Sequence, residues 1–413
     1  MIKQVSVFAA LSAALAAQAV ELVPPNNGEE FSALLPEHRE FLSKDRATRR
    51  EMFLDKKWRA HIVQPEIYSN SRPLRLEWRD AEGPCEVKVS LGGTTVFETN
   101  LTANAVEVWN LEIARTYEWS VKDAKGTARG TFRTKDLAPR FINLKGVPNI
   151  RDLGGRVGLG GRRVKQGMVY RSGGLNNNAD TWLSAKETMA LYNAGELEAK
   201  FGADGRKVKE QIDRDKGQFK FDPKAPFLRK SLRRANPTKG KARMDTATCR
   251  YAIDKLGFKS DIDLRSDLEC WGMTGSPVGP EVKWFHISSS SYGGMSGKKG
   301  REAFTEVFRI FLDEKNYPID FHCIGGADRT GAVGFIINAL LGVDDEELDK
   351  DWEITCFVYE SQDFGHRTRF DKLRAVFDAY PGANTREKVE NYVKDLGFTD
   401  ADIARLREIM LEK

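Results

Sequence analysis

Between residues 66 and 136 the chain alternates. Leu74, Leu76 and Trp78, then Cys85, Val87, Val89 and Leu91, occupy every second position, the period of a strand buried on one face. The stretches "AVEVWNL", "YEWSV" and "GTFRT" continue that period, and "DAEG", Gly92-Gly93 and "DAKG" break it at turn spacing. Short strands in this rhythm predict a small all-β sandwich over 66–136. Ahead of it, residues 20–65 are polar and charged and read as an N-terminal lead-in, with a helix over "KDRATRREMFLDKKWRAH". After a linker at 135–141 the pattern changes again. "GMVYRS", "KSDIDLRS", "VKWFHIS" and "YPIDFHC" read as strands. "GREAFTEVFRIFLDE" places Phe304, Val307, Phe308 and Phe311 on one helical face, and "TGAVGFIINALLG" is apolar all round, as in a buried helix. Two further helices follow, the last started by Thr399 as its N-cap. Strands alternating with helices predict an α/β domain over 141–413, with a central, mostly parallel sheet flanked by helices.

Two stretches depart from this order. "DLGGRVGLGGRRVKQG" invites a dinucleotide-loop reading, but Arg163 stands where the third glycine of GxGxxG would be. A hairpin with glycine turns, feeding the strand "GMVYRS", fits better. Within residues 196–243, the stretch 205–243 carries about three basic residues per acidic one with little apolar period, and the whole reads as a basic surface insertion. It is either a solvated arm or a flap over an anionic ligand.

The 413 residues suffice for two domains with extensions, and a formal charge of +5 is too small for a dedicated nucleic-acid binder. Lys3, the short apolar run "VSVFAALSAALAA" and the small-x-small "AQA" at 17–19 read as a secretory signal peptide over 1–19. The run is too short for a membrane span, and none is expected elsewhere. The protein is therefore expected to be exported, periplasmic or secreted after cleavage. Five cysteines, Cys85, Cys249, Cys270, Cys323 and Cys356, form neither a disulfide framework nor a zinc pattern. At least one thiol stays free, and pairing among the four other than Cys323 is open.

The chemistry concentrates in "FHCIGGADRTG", residues 321–331. A strand ends, a helix begins, and Ile324, Gly325, Gly326, Ala327, Asp328 and Arg329 form the tight loop between them. Glycines let the backbone turn its N–H groups inward, and with the helix dipole these make a cup for a dianionic oxyanion. Arg329 adds a planar fork for two oxygens. Cys323 lies at the bottom, where the same donors favour thiolate. A thiolate beneath a bound phosphoryl group is set for in-line attack, giving a phosphocysteine that water hydrolyses. Loop and Arg329 neutralise the equatorial oxygens, so no metal or other cofactor is called for. Thr330 can donate to the thiolate, and His322 is expected to buttress the loop. A metal-dependent aspartyl reading of "DIDLR" fails on Arg265, which stands where threonine or valine is needed.

"HCIGGADRTG" resembles the phosphate-binding loop of cysteine-dependent protein tyrosine phosphatases. It is most similar to the bacterial atypical tyrosine and dual-specificity phosphatases with an HCxxGxDRTG signature, some of which act on phosphoinositides. "NIRDLGG" (149–155), "YRSGGL" (170–175) and "DIDLRSDLE" (261–269) also resemble that family's pattern. The resemblance covers about 143–412, interrupted by the basic insertion. It implies the tyrosine-phosphatase-like fold and a general acid at Asp328; Asp263 is the alternative, its competing reading a carboxylate that braces Arg265. Asp152 and Arg171 are expected to be scaffold groups. Close relatives commonly have lysine where this chain has Ala327, which weakens the inference to highly anionic substrates. The β module resembles the end of a fibronectin type III or immunoglobulin-like domain and implies a protein or glycan partner. The expected activity is phosphomonoester hydrolysis, on phosphotyrosine or phosphoserine proteins. Phosphoinositides, inositol or sugar phosphates are the alternative substrates, and a catalytically weak phosphate-binding or adhesion protein is the alternative role.

Overall fold

A computed structural model of the chain describes residues 20–55, 57–58, 71–176, 185–217, 244–267, 269–270, 273, 275–358 and 366–413. The chain divides into two compact units. The first unit comprises the chain up to Phe31, Pro73–Val108 and Ala114–Lys135; the second comprises Ser32–Arg72, Trp109–Ile113 and Asp136–Lys413. The reading of residues 1–19 lies outside the described residues.

The first unit holds β1 (Glu21–Val23), β2 (Asn27–Phe31), β3 (Leu74–Arg79), β4 (Cys85–Leu91), β5 (Thr94–Leu101), β6 (Ala105–Val108), β7 (Thr116–Lys122) and β8 (Thr127–Thr134). They form one sheet ordered β1-β3-β6 and another ordered β2-β8-β7-β4-β5. The alternation read in the sequence is the alternation of burial: Leu74, Leu76 and Trp78 of β3 are buried, as are Val87 and Val89 of β4 and Tyr117, Trp119 and Val121 of β7. Register stacks Val87 beside Val121 and Val89 beside Trp119, so the apolar faces of neighbouring strands coincide. Residues 21–31 differ from their reading as a lead-in. They supply β1, which pairs with β3, and β2, which pairs with β8. "ELV" and "NGEEF" carry too few apolar positions to show a period; backbone pairing with a partner far along the chain recruits them.

The second unit starts with α1 (Pro36–Leu42) and α2 (Arg46–Leu54). Its sheet contains β9 (Arg140–Phe141), β10 (Arg151–Asp152), β11 (Val169–Ser172), β12 (Ser260–Asp263), β13 (Lys283–His286) and β14 (Ile319–His322), in the order β13-β12-β14-β11-β10-β9. The four strands β13, β12, β14 and β11 run parallel, and β10 and β9 add an antiparallel edge. β9 falls within the stretch read as linker; Phe141 there is buried. β10 pairing with β11 gives the glycine-turned hairpin read from 149–172.

The helices are α3 (Ala185–Asn193), α4 (Leu197–Arg214), α5 (Thr246–Asp254), α6 (Lys298–Phe311), α7 (Asp328–Leu340), α8 (Asp345–Glu353), α9 (His366–Asp378), α10 (Thr385–Asp395) and α11 (Asp400–Met410). Phe304, Val307, Phe308 and Phe311 of α6 are buried, and α7 is buried from Thr330 to Leu340. Both contribute to one core with Ile319 and Phe321 of β14 and Ile262 of β12. Thr399 caps α11 through a reciprocal pair with Asp402.

Residues 196–214 correct the reading of a basic insertion without apolar period. They form α4, which buries Leu197, Val208 and Ile212, with Met189, Leu191, Tyr192 and Phe201 partly buried against them. Gly202, at φ +57°, kinks the helix and so breaks the regular spacing by which the buried face would be recognised. Residues 218–243, the rest of that segment, lie outside the described residues.

Candidate active site

Strand β14 ends at His322 and helix α7 opens at Asp328, so the loop 323–327 crosses from the C-terminal end of a central parallel strand to a helix N-terminus. The carbonyls of Ile324, Gly325 and Gly326 are held from outside the loop. The Gly174 N–H donates to the Ile324 carbonyl at 2.8 Å. Asn149 donates to the carbonyls of Gly325 and Gly326, each at 3.1 Å. Arg171 donates to the Gly326 carbonyl at 2.9 Å. A trans peptide points its N–H opposite to its C=O. Fixing those carbonyls outward therefore turns the following N–H groups, of Gly325, Gly326 and Ala327, into the cup. The turn requires glycine at 326: φ is +65°, and a Cβ there would lie 2.5 Å from the Ser172 carbonyl oxygen.

Cys323 is 3% exposed at the base of this cup. Burial alone would push its thiol up, but the charge of Arg329, the hydroxyl and N–H of Thr330 and the N–H of Gly326 outweigh it, and the thiol is shifted below its ordinary value. The Arg329 guanidinium is gripped by Glu269, with Nη1 donating to Oε2 at 2.7 Å and Nη2 to Oε1 at 3.2 Å. Its Nη1 also donates to the Leu264 carbonyl at 3.2 Å.

Behind the cup, His322 is wholly buried with Nε2 3.0 Å from Asp261 and 3.9 Å from Asp263. Burial opposes its protonation, yet the carboxylates of Asp263 and Asp261 prevail and raise its pKa to about 9. Its Nδ1 lies 3.2 Å from the Cys323 carbonyl oxygen, so the imidazole braces the chain at Cys323. Asp263 is also buried; despite that burial, His322 and Arg265 hold its carboxyl well below the usual range. Arg265 Nε donates to it at 2.8 Å and the Cys270 thiol at 3.2 Å. Of the two carboxyls considered as general acid, Asp263 is thus enclosed among its own partners, the brace on Arg265. Asp328 stands at the loop's rim, 30% exposed, with the Tyr292 hydroxyl donating to it.

Asp152 and Arg171 occupy scaffold positions. Asp152 accepts from Arg140 at 2.8 Å and from the N–H groups of Gly154 and Gly167. Arg171 joins Arg151 and Arg156 around one buried carboxylate, Asp351. Burial would raise the Asp351 pKa, but Arg151, Arg171 and Arg156 drive it well below the ordinary value. Arg151 also donates to Asn149 Oδ1 at 2.5 Å, so the cluster holds the side chain that holds the loop.

Four residues escaped the sequence reading: Glu269, Tyr292, Asp351 and Arg369. Glu269 lies inside "DIDLRSDLE" but carried no role. For Asp351 a signal existed, since three arginines crowded into "NIRDLGGR" and "YRS" need a counter-charge once buried. Nothing local says that it comes about 200 residues later.

All five cysteines are free thiols. Among the described residues, no three His, Cys, Asp or Glu side chains are grouped to hold a metal ion, and no helix is long and apolar enough to cross a membrane. Asp344 caps α8 by accepting the Glu347 N–H.

The model of the tyrosine phosphatase family matches residues 142–194 and 214–412, more than half of the chain. The interval it leaves out falls on α4. A protein of Cupriavidus necator, provisionally named a tyrosine-protein phosphatase, is 29% identical over 204 residues, covering 49% of this chain and 58% of that relative. The chain thus spans less than two thirds of the relative's length. The matched residues include the cysteine loop, Arg329 and the parallel strands that present them, and the chain belongs to the tyrosine phosphatase family.

Proposed function

We propose that this chain is an exported phosphatase that hydrolyses phosphomonoesters, foremost phosphotyrosine or phosphoserine proteins, through a phosphocysteine on Cys323. The observation that carries the reading is the geometry of the loop, whose carbonyls of Ile324, Gly325 and Gly326 are held outward around the buried Cys323; the lowering of that thiol by Arg329, Thr330 and Gly326 supports it. Bound phosphate would sit on the inward N–H groups and the outer edge of Arg329, with Sγ in line with the ester oxygen. The S–P bond forms as the P–O bond breaks, and Asp328 gives its proton to the departing oxygen. Water then attacks phosphorus, Asp328 takes the water's proton, and the S–P bond breaks to return thiolate, stabilised again by Thr330. Arg329 and the loop supply the neutralising charge, which supports a metal-independent reaction.

Cys323→Ser should abolish hydrolysis of p-nitrophenyl phosphate by the full chain, while EDTA leaves the wild-type rate intact. Turnover surviving in the serine variant would end the reading. Export is supported by the residue pattern at 1–19. The fibronectin type III-like assignment of the first unit, with a protein or glycan partner, is supported by its two sheets of alternating burial.

A further inference from the structure

Arg374 of α9 and Arg46 of α2 serve the fold. Arg374 donates to Asp349 at 2.6 Å and lies over the rings of Phe335 and Phe370. Arg46 pairs with Asp349 at 3.1 Å and lies over Phe370. Arg369 differs. Its guanidinium is half exposed and reaches the rim of the cysteine loop, where Nη1 stands 3.4 Å from each oxygen of Asp328.

That distance is near the outer limit of a hydrogen bond, so the contact is weak and open to competition. The position of Arg369 is nevertheless set firmly. The next residue, Phe370, is buried and stacks on Trp352 with centroids 5.0 Å apart. Trp352 in turn meets Tyr292 edge-on at 6.5 Å and closes over Gly331 of α7, where an added Cβ would lie 2.5 Å from its ring. The backbone of α9 is thus locked to the loop's own helix while the charged head stays in solvent. The cysteine loop also carries exposed apolar surface at Ile324, 43% exposed, and the Tyr292 hydroxyl donates to Asp328. A substrate's aryl group would meet this surface with the Arg369 cation at the same rim.

We infer that Arg369 is a specificity-determining residue that leaves Asp328 to bind a second anion on the substrate, the carboxylate of an acidic residue flanking phosphotyrosine in a peptide. This rests on the phosphatase reading above for its substrate. The exchange has a consequence for the rim: once Arg369 turns to the flanking carboxylate, Asp328 loses that cation while the Tyr292 hydroxyl still donates to it.

The test separates binding from turnover. Two phosphotyrosine peptides differing only in glutamate or glutamine beside the phosphotyrosine are titrated by fluorescence anisotropy against Cys323→Ser and Cys323→Ser/Arg369→Ala. The first variant should bind the glutamate peptide about fivefold more tightly, the size of one partly exposed ion pair, and the second should bind both alike. Cys323→Ser/Arg369→Lys, which keeps the charge but not the planar fork, should retain part of the preference. Equal binding by Cys323→Ser, or an unchanged preference in the alanine double variant, overturns the inference. Tighter binding of a soluble inositol bisphosphate than of either peptide overturns the choice of a peptide. Wild-type turnover of p-nitrophenyl phosphate reports separately on the phosphatase reading, so the two can fail independently.

Discussion

Glu269 meets Arg329 fork to fork, with its two carboxylate oxygens 2.7 and 3.2 Å from the two guanidinium Nη atoms. The carboxylate is itself anchored: it accepts from the Ser266 N–H at 2.6 Å and from the Ser266 hydroxyl at 2.9 Å. A planar guanidinium held along one edge offers its other edge in a fixed direction. Glu269→Ala should therefore lower kcat/KM for p-nitrophenyl phosphate by about 10–100-fold through loss of alignment, while circular dichroism reports an unchanged fold. Full activity in that variant would deny Glu269 its positioning role.

The Cys323 thiol titrates below its ordinary value because Arg329, Thr330 and Gly326 outweigh burial. The thiolate is the alkylated species, so the pH midpoint for iodoacetamide labelling at Cys323 should lie below the ~8.5 of a free thiol. Thr330→Ala removes one stabilising donor and should move that midpoint upward. A midpoint that stays in place would show that the hydroxyl does not act on the sulfur.

The role given to Asp328 depends on the leaving group. An aryl oxygen as good as p-nitrophenolate needs little protonation, whereas an alkyl oxygen needs a full proton. Asp328→Asn should cost kcat roughly 10²-fold or more on a phosphoserine peptide and much less on p-nitrophenyl phosphate. Equal losses on both would return the question to another acid.

Asp351 neutralises three buried arginines. Asp351→Asn leaves their charge uncompensated and should destabilise the second unit by roughly 3–5 kcal/mol, measured as a lower urea midpoint at pH 7. The carboxyl is depressed in the folded chain. Its contribution is therefore fully present above the unfolded value of ~3.9 and lost as pH falls toward the folded value. The gap between wild type and variant should narrow as pH is lowered through this window.

Gly326 combines φ +65° with a 2.5 Å approach of its missing Cβ to the Ser172 carbonyl. Gly326→Ala should displace the loop, swing the N–H groups off the sulfur and reduce kcat/KM by at least about 10²-fold. Loss of vanadate inhibition in parallel would identify the anion cup as the part that failed.

Much of this was legible along the chain because its physics is local. A period of two in "CEVKVSL" and of three to four in "GREAFTEVF" declares which face is buried, and the period survives in the folded chain. Cys323, Gly326, Arg329 and Thr330 lie within eight consecutive positions, so strand, turn and helix alone bring them together. Where local pattern was weak the reading slipped: α4 hid its apolar face behind lysines and a kink at Gly202, and β1 and β2 have too few apolar residues to show a period.

What the sequence determined by itself is the cysteine loop with its arginine and the elements on either side, since these follow from neighbouring residues and backbone geometry. Only the tertiary structure decided which distant groups hold that cup in shape: Glu269 on Arg329, Asn149 and Arg171 on the loop carbonyls, Asp351 among the arginines, and Tyr292 with Arg369 at Asp328. The physical reason is that a buried charge must find a counter-charge in space, and the chain position of that partner is set by how helices and strands cross, which no local pattern encodes.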